Sequence, residues 1–130
     1  MPSKSRTSGD YAEEVAFLYL KKRGYKIIER NYINKIGEID IIALRQARDK
    51  PPKIIFIEVK SQYEPEASGL YPERSVDTRK QQKLIRIAEL YLIEKKYPDD
   101  TDWQIDVIGV VLNTQTRRAN LRHLKNAVAI

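Results

Sequence analysis

Gly37-Glu38-Ile39-Asp40-Ile41-Ile42-Ala43-Leu44, followed after a polar loop by Lys53-Ile54-Ile55-Phe56-Ile57-Glu58-Val59-Lys60, is the stretch on which the reading of this chain turns. Both segments are short, Ile-rich runs bounded by turn-forming residues, the pattern of buried strands. The loop between them, Arg45 to Pro52 with its paired prolines, is too short for a crossover, so the two strands pair antiparallel as a hairpin. Alternate residues of a strand share a face. Glu38 and Asp40 therefore stand together on one side of the first strand, with Ile39, Ile41 and Ala43 on the other, and Glu58 and Lys60 share a side of the second. A symmetric closure of the hairpin sets Asp40 near Ile57 and Glu58, so that two carboxylates and an ammonium converge. Crowding like charges inside a domain is unfavourable unless a cation compensates them. Mg²⁺, which takes carboxylate, carbonyl and water oxygens, is the natural compensator, with Mn²⁺ as its substitute. The plainer alternative is a solvated face with a weak Glu-x-Lys ion pair. Against it, Ile39, Ile41, Ile55, Ile57 and Val59 already supply a buried face, and the opposite face needs another reason to hold Glu38, Asp40, Glu58 and Lys60 together.

Upstream, Asp10 with Glu13 three positions on reads as a capping box, opening a helix over Tyr11 to Arg23 with Ala12, Val15, Ala16, Tyr19 and Leu20 at helical spacing. Gly24 supplies the left-handed C-terminal cap. Tyr25 to Tyr32 reads as a strand and Asn34-Lys35-Ile36-Gly37 as the turn into the deciding pair. Downstream, the composition of Ser61 to Ser75 marks a mobile loop, whose Tyr63 and Tyr71 are candidates for stacking on bases. A second helix, Asp77 to Lys96, carries Leu84, Ile87, Ala88 and Tyr91 on one face and is stopped by Pro98. Trp103 to Leu112 gives a Val- and Ile-rich strand, with Trp103 in the core, and Leu121 to Leu124 a last short one. The expected order, α, three β, α, β, β, makes an α/β fold with one mixed sheet flanked by helices. It forms a single domain over residues 1–130, with residues 1–8 disordered.

The bulk composition narrows the chemistry. The chain has 130 residues, 42% hydrophobic and 32% charged, with no cysteine and one histidine. Disulfides, thiolate catalysis and cysteine-held zinc are excluded. No apolar run approaches the roughly 20 residues of a membrane span and the start lacks a signal peptide's apolar stretch, so the expected partners include no membrane and the expected location is the cytoplasm. The net charge of +6 favours an anionic partner, of which nucleic acid is the commonest for a small basic domain. Lys80 stands on the core-facing side of the second helix, an odd place for a merely solvating lysine. With Arg74, Arg79, Lys83 and Arg86 against only Asp77, it outlines a nucleic-acid-binding strip at that helix start. Helix solubility is the plainer explanation of those charges. His123 reads as a structural hydrogen-bonding residue near the last strand, with no second histidine to join it on a metal.

The ordered set Gly37-Glu38-Ile39-Asp40-Ile41-Ile42 and Phe56-Ile57-Glu58-Val59-Lys60 resembles the YraN-like family of uncharacterised proteins. Glu13 to Ala16, Gly24-Tyr25, Arg30-Asn31, Val76, Lys80, Ala88, Tyr91-Leu92, Asp106-Val107, His123 and Asn126-Ala127 extend the likeness over nearly the whole chain. That family is similar to the PD-(D/E)xK nuclease superfamily, and within it most like archaeal Holliday-junction resolvases and restriction endonucleases. The resemblance implies a restriction-endonuclease-like three-layer fold and a Mg²⁺- or Mn²⁺-dependent endonuclease on DNA, ahead of RNA, acting on branched or processed structures. It also implies Asp40, Glu58 and the Val59 carbonyl as metal ligands, Lys60 as the catalytic lysine, Glu13 as an additional acidic residue at the metal, and a homodimer. For Glu13 the capping box on Asp10 is the competing role. The chain departs from the family at Ser61-Gln62 and Gln104, where arginine is common, and both changes remove positive charge near the expected phosphate site. The rival function is a non-catalytic nucleic-acid-binding module on a nuclease scaffold; an RNA-directed nuclease is a third.

Overall fold

The computed structural model describes residues 8–64 and 76–130. The elements are α1 (Ser8–Lys22), β1 (Lys26–Ile33), β2 (Glu38–Arg45), β3 (Lys53–Glu64), α2 (Thr78–Glu94), β4 (Trp103–Asn113) and β5 (Arg118–Leu124). The five strands lie in the order β1-β2-β3-β4-β5, with β3 and β4 parallel and every other neighbouring pair antiparallel. A parallel pair needs a long crossover, and α2 lies within that connection. The result is an open five-stranded mixed sheet with a helix on each face.

Two apolar clusters hold the layers together. On one face, Ala12, Ala16 and Leu20 of α1 pack on Ile41, Ala43, Ile55, Ile57, Ile108 and Val110. On the other, Leu84, Ile87, Ala88 and Tyr91 of α2 pack on Ile39, Ile42, Ile54, Phe56, Ile105 and Val107. Tyr91 meets the Phe56 and Tyr32 rings edge-on at 5.5 and 5.1 Å, and Trp103 packs against this cluster as expected for a core residue. Ridges of small residues on α1 let that helix lie close to the sheet, and truncating its largest core side chain, Leu20, would cost about 2–5 kcal/mol.

The turn after β1 is bolted to α2 by side-chain chemistry. Asn34 Oδ1 accepts from the N–H groups of Ile36 and Gly37, while its amide donates to the Ile87 carbonyl. A Cβ on Gly37 would stand 2.8 Å from Lys83 Cε and 3.0 Å from Ile87 Cδ1, so a larger residue would have to displace the lysine tip and press on Ile87. Asp77, the N-cap of α2, accepts from the Lys80 N–H at 2.9 Å. At the other end Lys96 takes a positive φ of 59° and Tyr97 N–H bonds Leu92 O, which ends the helix before Pro98 is reached.

Several sequence expectations are corrected. Helix α1 starts at Ser8, so Asp10 sits inside the first turn, where its charge favours the helix dipole, and is not an N-cap. The capping box on Asp10 therefore does not exist. Residues 1–7 of the expected disordered start lie outside the described residues, whereas Ser8 is helical. The expected 61–75 loop is not a loop over its first four residues, because Ser61–Glu64 continue β3 and pair with Val110–Asn113 of β4. A long partner strand outweighed the loop-like composition; residues 65–75, Tyr71 and Arg74 among them, lie outside the described residues. Strand β5 starts three residues earlier than expected, at Arg118. Ile39 does not share a face with Ile41 and Ala43 but packs on the α2 side.

Candidate functional site

The change of face at Ile39 centres on Asp40. The β2–β3 ladder runs from Arg45↔Lys53 to Ile41↔Ile57 and stops, so Asp40 is the residue at which β2 leaves β3. Past that fork the Val59 N–H has lost its strand partner, and an unpaired buried donor is costly. Asp40 Oδ2 takes its place, accepting from Val59 N–H at 2.7 Å. On the other side of β2, Asn31 adopts a φ of 54° within β1, between the pairs Arg30↔Ile41 and Tyr32↔Ile39. The backbone is distorted on the strand beside Asp40, and Asn is the non-glycine residue that tolerates this conformation best.

Glu58 stands on β3 facing α2 and is only 5% exposed. Lys80 Nζ reaches its Oε2 at 3.0 Å, and Lys60 Nζ lies 4.0 Å from the same oxygen. The Asp40 carboxyl is pushed up to about 8, first by burial and then by the neighbouring Glu58, with Glu13 adding to the effect and the Val59 N–H opposing it. Burial beside the Glu58 charge thus favours the protonated form of Asp40.

Glu13 approaches from α1. Burial pushes its carboxyl up, the Arg30 charge and the Asn31 side chain pull it down, and Asp10 and Glu38 push it up again. Its Oε1 is buried with no hydrogen-bond partner, and Arg30 Nη2 is 3.9 Å away. Arg30 itself is occupied by Glu14 at 3.1 Å and lies over the Phe17 ring at 4.1 Å. Four sequence candidates thus meet at the β2–β3 fork: Asp40, Glu58, Lys60 and, electrostatically, Glu13. Val59 joins them through its N–H. Lys80 arrives as the direct ion-pair partner of Glu58. Arg79, Lys83 and Arg86 are exposed along α2, and Arg74 lies outside the described residues.

Arg30 and Asn31 are the members that reading the sequence for site residues missed. The available signal was an asparagine in the middle of an alternating strand, where a β-former is expected. Gln104 is a correction of another kind. It pairs with Ile55, three residues below Glu58 on β3, and its side chain joins Lys53 at 3.2 Å to Asp106 at 2.8 Å. The arginine missing there would stand about 10 Å along the strand from Glu58, away from the fork. A cavity of about 400 Å³ lined by Arg45, Lys50, Lys53, Asp102 and Gln104 lies at that same end.

Asp106, fully buried, forms a separate polar centre. It accepts from Gln104, from Asn126 N–H at 2.8 Å, and bonds His123 Nε2 at 2.7 Å, while His123 Nδ1 meets Tyr19 OH at 2.9 Å. His123 thus ties β5, β4 and α1 together, the structural role its isolation suggested.

As to a metal, no three acidic or histidine side chains among the described residues close into a ready cage. A Mg²⁺ ion, however, ordinarily takes only one or two carboxylates and keeps several waters. The adjoining carboxylates of half-buried Asp40 and buried Glu58, with Glu13 Oε1 making no hydrogen bond, meet that need, so the donor set fits. No helix among the described residues is long and apolar enough to cross a membrane.

A model of the uncharacterised protein family UPF0102 matches residues 12–110. A UPF0102 protein of Clostridium botulinum strain Hall is 41% identical over 124 residues, which is 94% of this chain and 94% of the relative. The UPF0102 protein of C. botulinum strain 657 is 40% identical over the same span, and that of Desulforamulus reducens is 39% identical over 128 residues, 98% of this chain and 100% of the relative.

Proposed function

The chain belongs to the uncharacterised protein family UPF0102, and from the carboxylate pair at the β2–β3 fork we propose that it is a Mg²⁺- or Mn²⁺-dependent endonuclease acting on DNA. The observation that carries this reading is the burial of Asp40 against Glu58 beside two lysines. Packing alone gives no reason for it, since the apolar faces of β2 and β3 are filled without them. Asp40 and Glu58 would hold the ion, with Glu13 and the Val59 carbonyl as further oxygens. When bound, a divalent ion lowers the pKa of a water and neutralises charge on the phosphate. Lys60 orients the attacking water and offsets the charge that builds on the phosphoryl oxygens. Water oxygen bonds to phosphorus, the bond from phosphorus to one sugar oxygen breaks, and that oxygen leaves with a proton.

Lys80 gives a specific reason to keep a second reading in view. Its 3.0 Å ion pair satisfies Glu58 with no metal at all, as a scaffold retained for nucleic-acid binding without cleavage would require. The remaining cations of α2, Arg79, Lys83 and Arg86, serve either reading as phosphate contacts. Labelled duplex, flapped, single-stranded and four-way-junction substrates, as DNA and as RNA, incubated with Mg²⁺ or Mn²⁺, separate the two. Cutting by the wild type and not by Glu58→Gln supports the nuclease and ranks its substrates. Salt-dependent binding by both, with cutting by neither, replaces it with the binding module. The same assay on a size-defined sample tests whether a homodimer is the active form.

A further inference from the structure

Beyond Val59, strand β3 continues to a cavity of about 300 Å³ between the start of α1 and the far ends of β3, β4 and β5. Tyr11 and Val15 line it from α1, Tyr63 from β3, Leu112 from β4, and Arg117 and Arg118 from the head of β5. We propose that this cavity receives one unpaired nucleobase of the strand whose phosphate lies at the Asp40–Glu58 fork; the proposal rests on the nuclease-site reading and names its substrate class as nucleic acid with an unpaired nucleotide a few positions along the strand from the scissile bond.

Four observations point to that occupant. The volume sits at the lower end of what small ligands occupy, which suits a single base. Its walls carry two phenol rings and apolar surface from Val15 and Leu112, the faces on which any base stacks regardless of sequence. Among the described residues it is lined by two guanidinium groups and no carboxylate, so an anionic sugar-phosphate is favoured over a cation or a neutral metabolite. Finally, the cavity and the fork are joined by the same two elements. Helix α1 supplies Tyr11 and Val15 to one and Glu13 to the other, and Tyr63 stands four residues past Val59, about 13 Å along β3. That span matches about four stacked B-form steps, and fewer in a stretched strand. A base inside a duplex cannot enter such a cavity without leaving its partner, and mismatched, flapped or single-stranded nucleotides have the least pairing to lose.

The test needs no cleavage. Wild-type protein in EDTA is titrated into a single-stranded oligonucleotide carrying one 2-aminopurine, into the same strand in a blunt duplex, and into 2-aminopurine riboside monophosphate. Stacking quenches this base, so emission should fall with the single strand and stay unchanged with the duplex, and the mononucleotide should bind far more weakly than the strand. Tyr63→Ala should restore emission and weaken single-strand binding about 5- to 150-fold, the worth of one stacked base. Tyr63→Phe should keep the quench, and Arg118→Ala, at an exposed position, should weaken binding without unfolding anything. Equal quenching by Tyr63→Ala, no quenching at all, or mononucleotide binding as tight as the strand each overturns the proposal. A protein that quenches but never cuts sinks the nuclease and keeps the base site; one that cuts without quenching does the reverse.

Discussion

Asp40→Asn should make the metal-free protein more stable at neutral pH, by an amount that grows as pH rises. In the folded chain the Asp40 carboxyl holds its proton up to about 8, whereas in the unfolded chain it releases it near pH 4. The folded state thus binds more protons in this window. Its stability is fully supported by protonation at acid pH and is lost as pH rises from about 4 towards about 8, by up to about 1.4 kcal/mol per pH unit. Between pH 5 and 7 that is about 3 kcal/mol, equivalent to about 10 °C in Tm for a chain of this length. Asparagine keeps an oxygen for the Val59 N–H and brings an amide to Glu58, yet has no proton to lose. In EDTA, the gap between calorimetric scans of wild type and variant should therefore widen by up to about 10 °C from pH 5 to pH 7. Added Mg²⁺ should recover wild-type stability at pH 7 and leave Asp40→Asn where it was. Parallel pH curves for the two proteins would refute a proton held on Asp40 by its burial beside Glu58. Recovery of the variant by Mg²⁺ would remove Asp40 from the ion's ligands.

Lys80→Met should cost about 1–3 kcal/mol in metal-free urea unfolding by leaving Glu58 without its 3.0 Å partner. The lower part of that range is favoured, since the Lys80 side chain is a third exposed, and Mg²⁺ should repair the variant more than the wild type. Asn31→Val, forcing a branched side chain into a φ of 54°, should cost about 1–2 kcal/mol, while Asn31→Gly should be close to neutral in the same measurement. Asp106→Ala strands the donors of Gln104, His123 and Asn126 and should lower urea stability by about 2–4 kcal/mol. Because it lies outside the carboxylate fork, its Mg²⁺-induced thermal shift should equal that of the wild type.

The hairpin was legible because Ile-rich runs on both strands fix one register, and the observed pairing of Ile41 with Ile57 brings Asp40 to Glu58 as the symmetric closure required. Helix faces were legible for the same reason: Leu84, Ile87, Ala88 and Tyr91 recur at helical spacing and are buried together. What escaped lies where tertiary context overrides local pattern. Ser61 to Glu64 are polar and loop-like in composition, and only the partner Val110–Asn113 makes them strand. Ile39 follows perfect alternation with Ile41 on paper, but the distortion at Asn31 and Asp40 turns it to the other layer. Glu13 was read equally as cap and as site residue, a choice that depended on a helix start two residues upstream of the supposed cap. Lys80 was legible as out of place for solvation, though its target Glu58 emerged only from packing.

The double duty of Asp40 bears on how the gene would be studied in cells. With one oxygen on the Val59 N–H, this carboxylate is part of the strand ladder as well as of the chemistry. An Asp40→Ala allele would therefore deplete the protein through turnover of misfolded chains as well as disarm it, and its phenotype would confound dosage with activity. Asp40→Asn, which keeps an oxygen for that backbone bond, is the allele whose phenotype reports on chemistry.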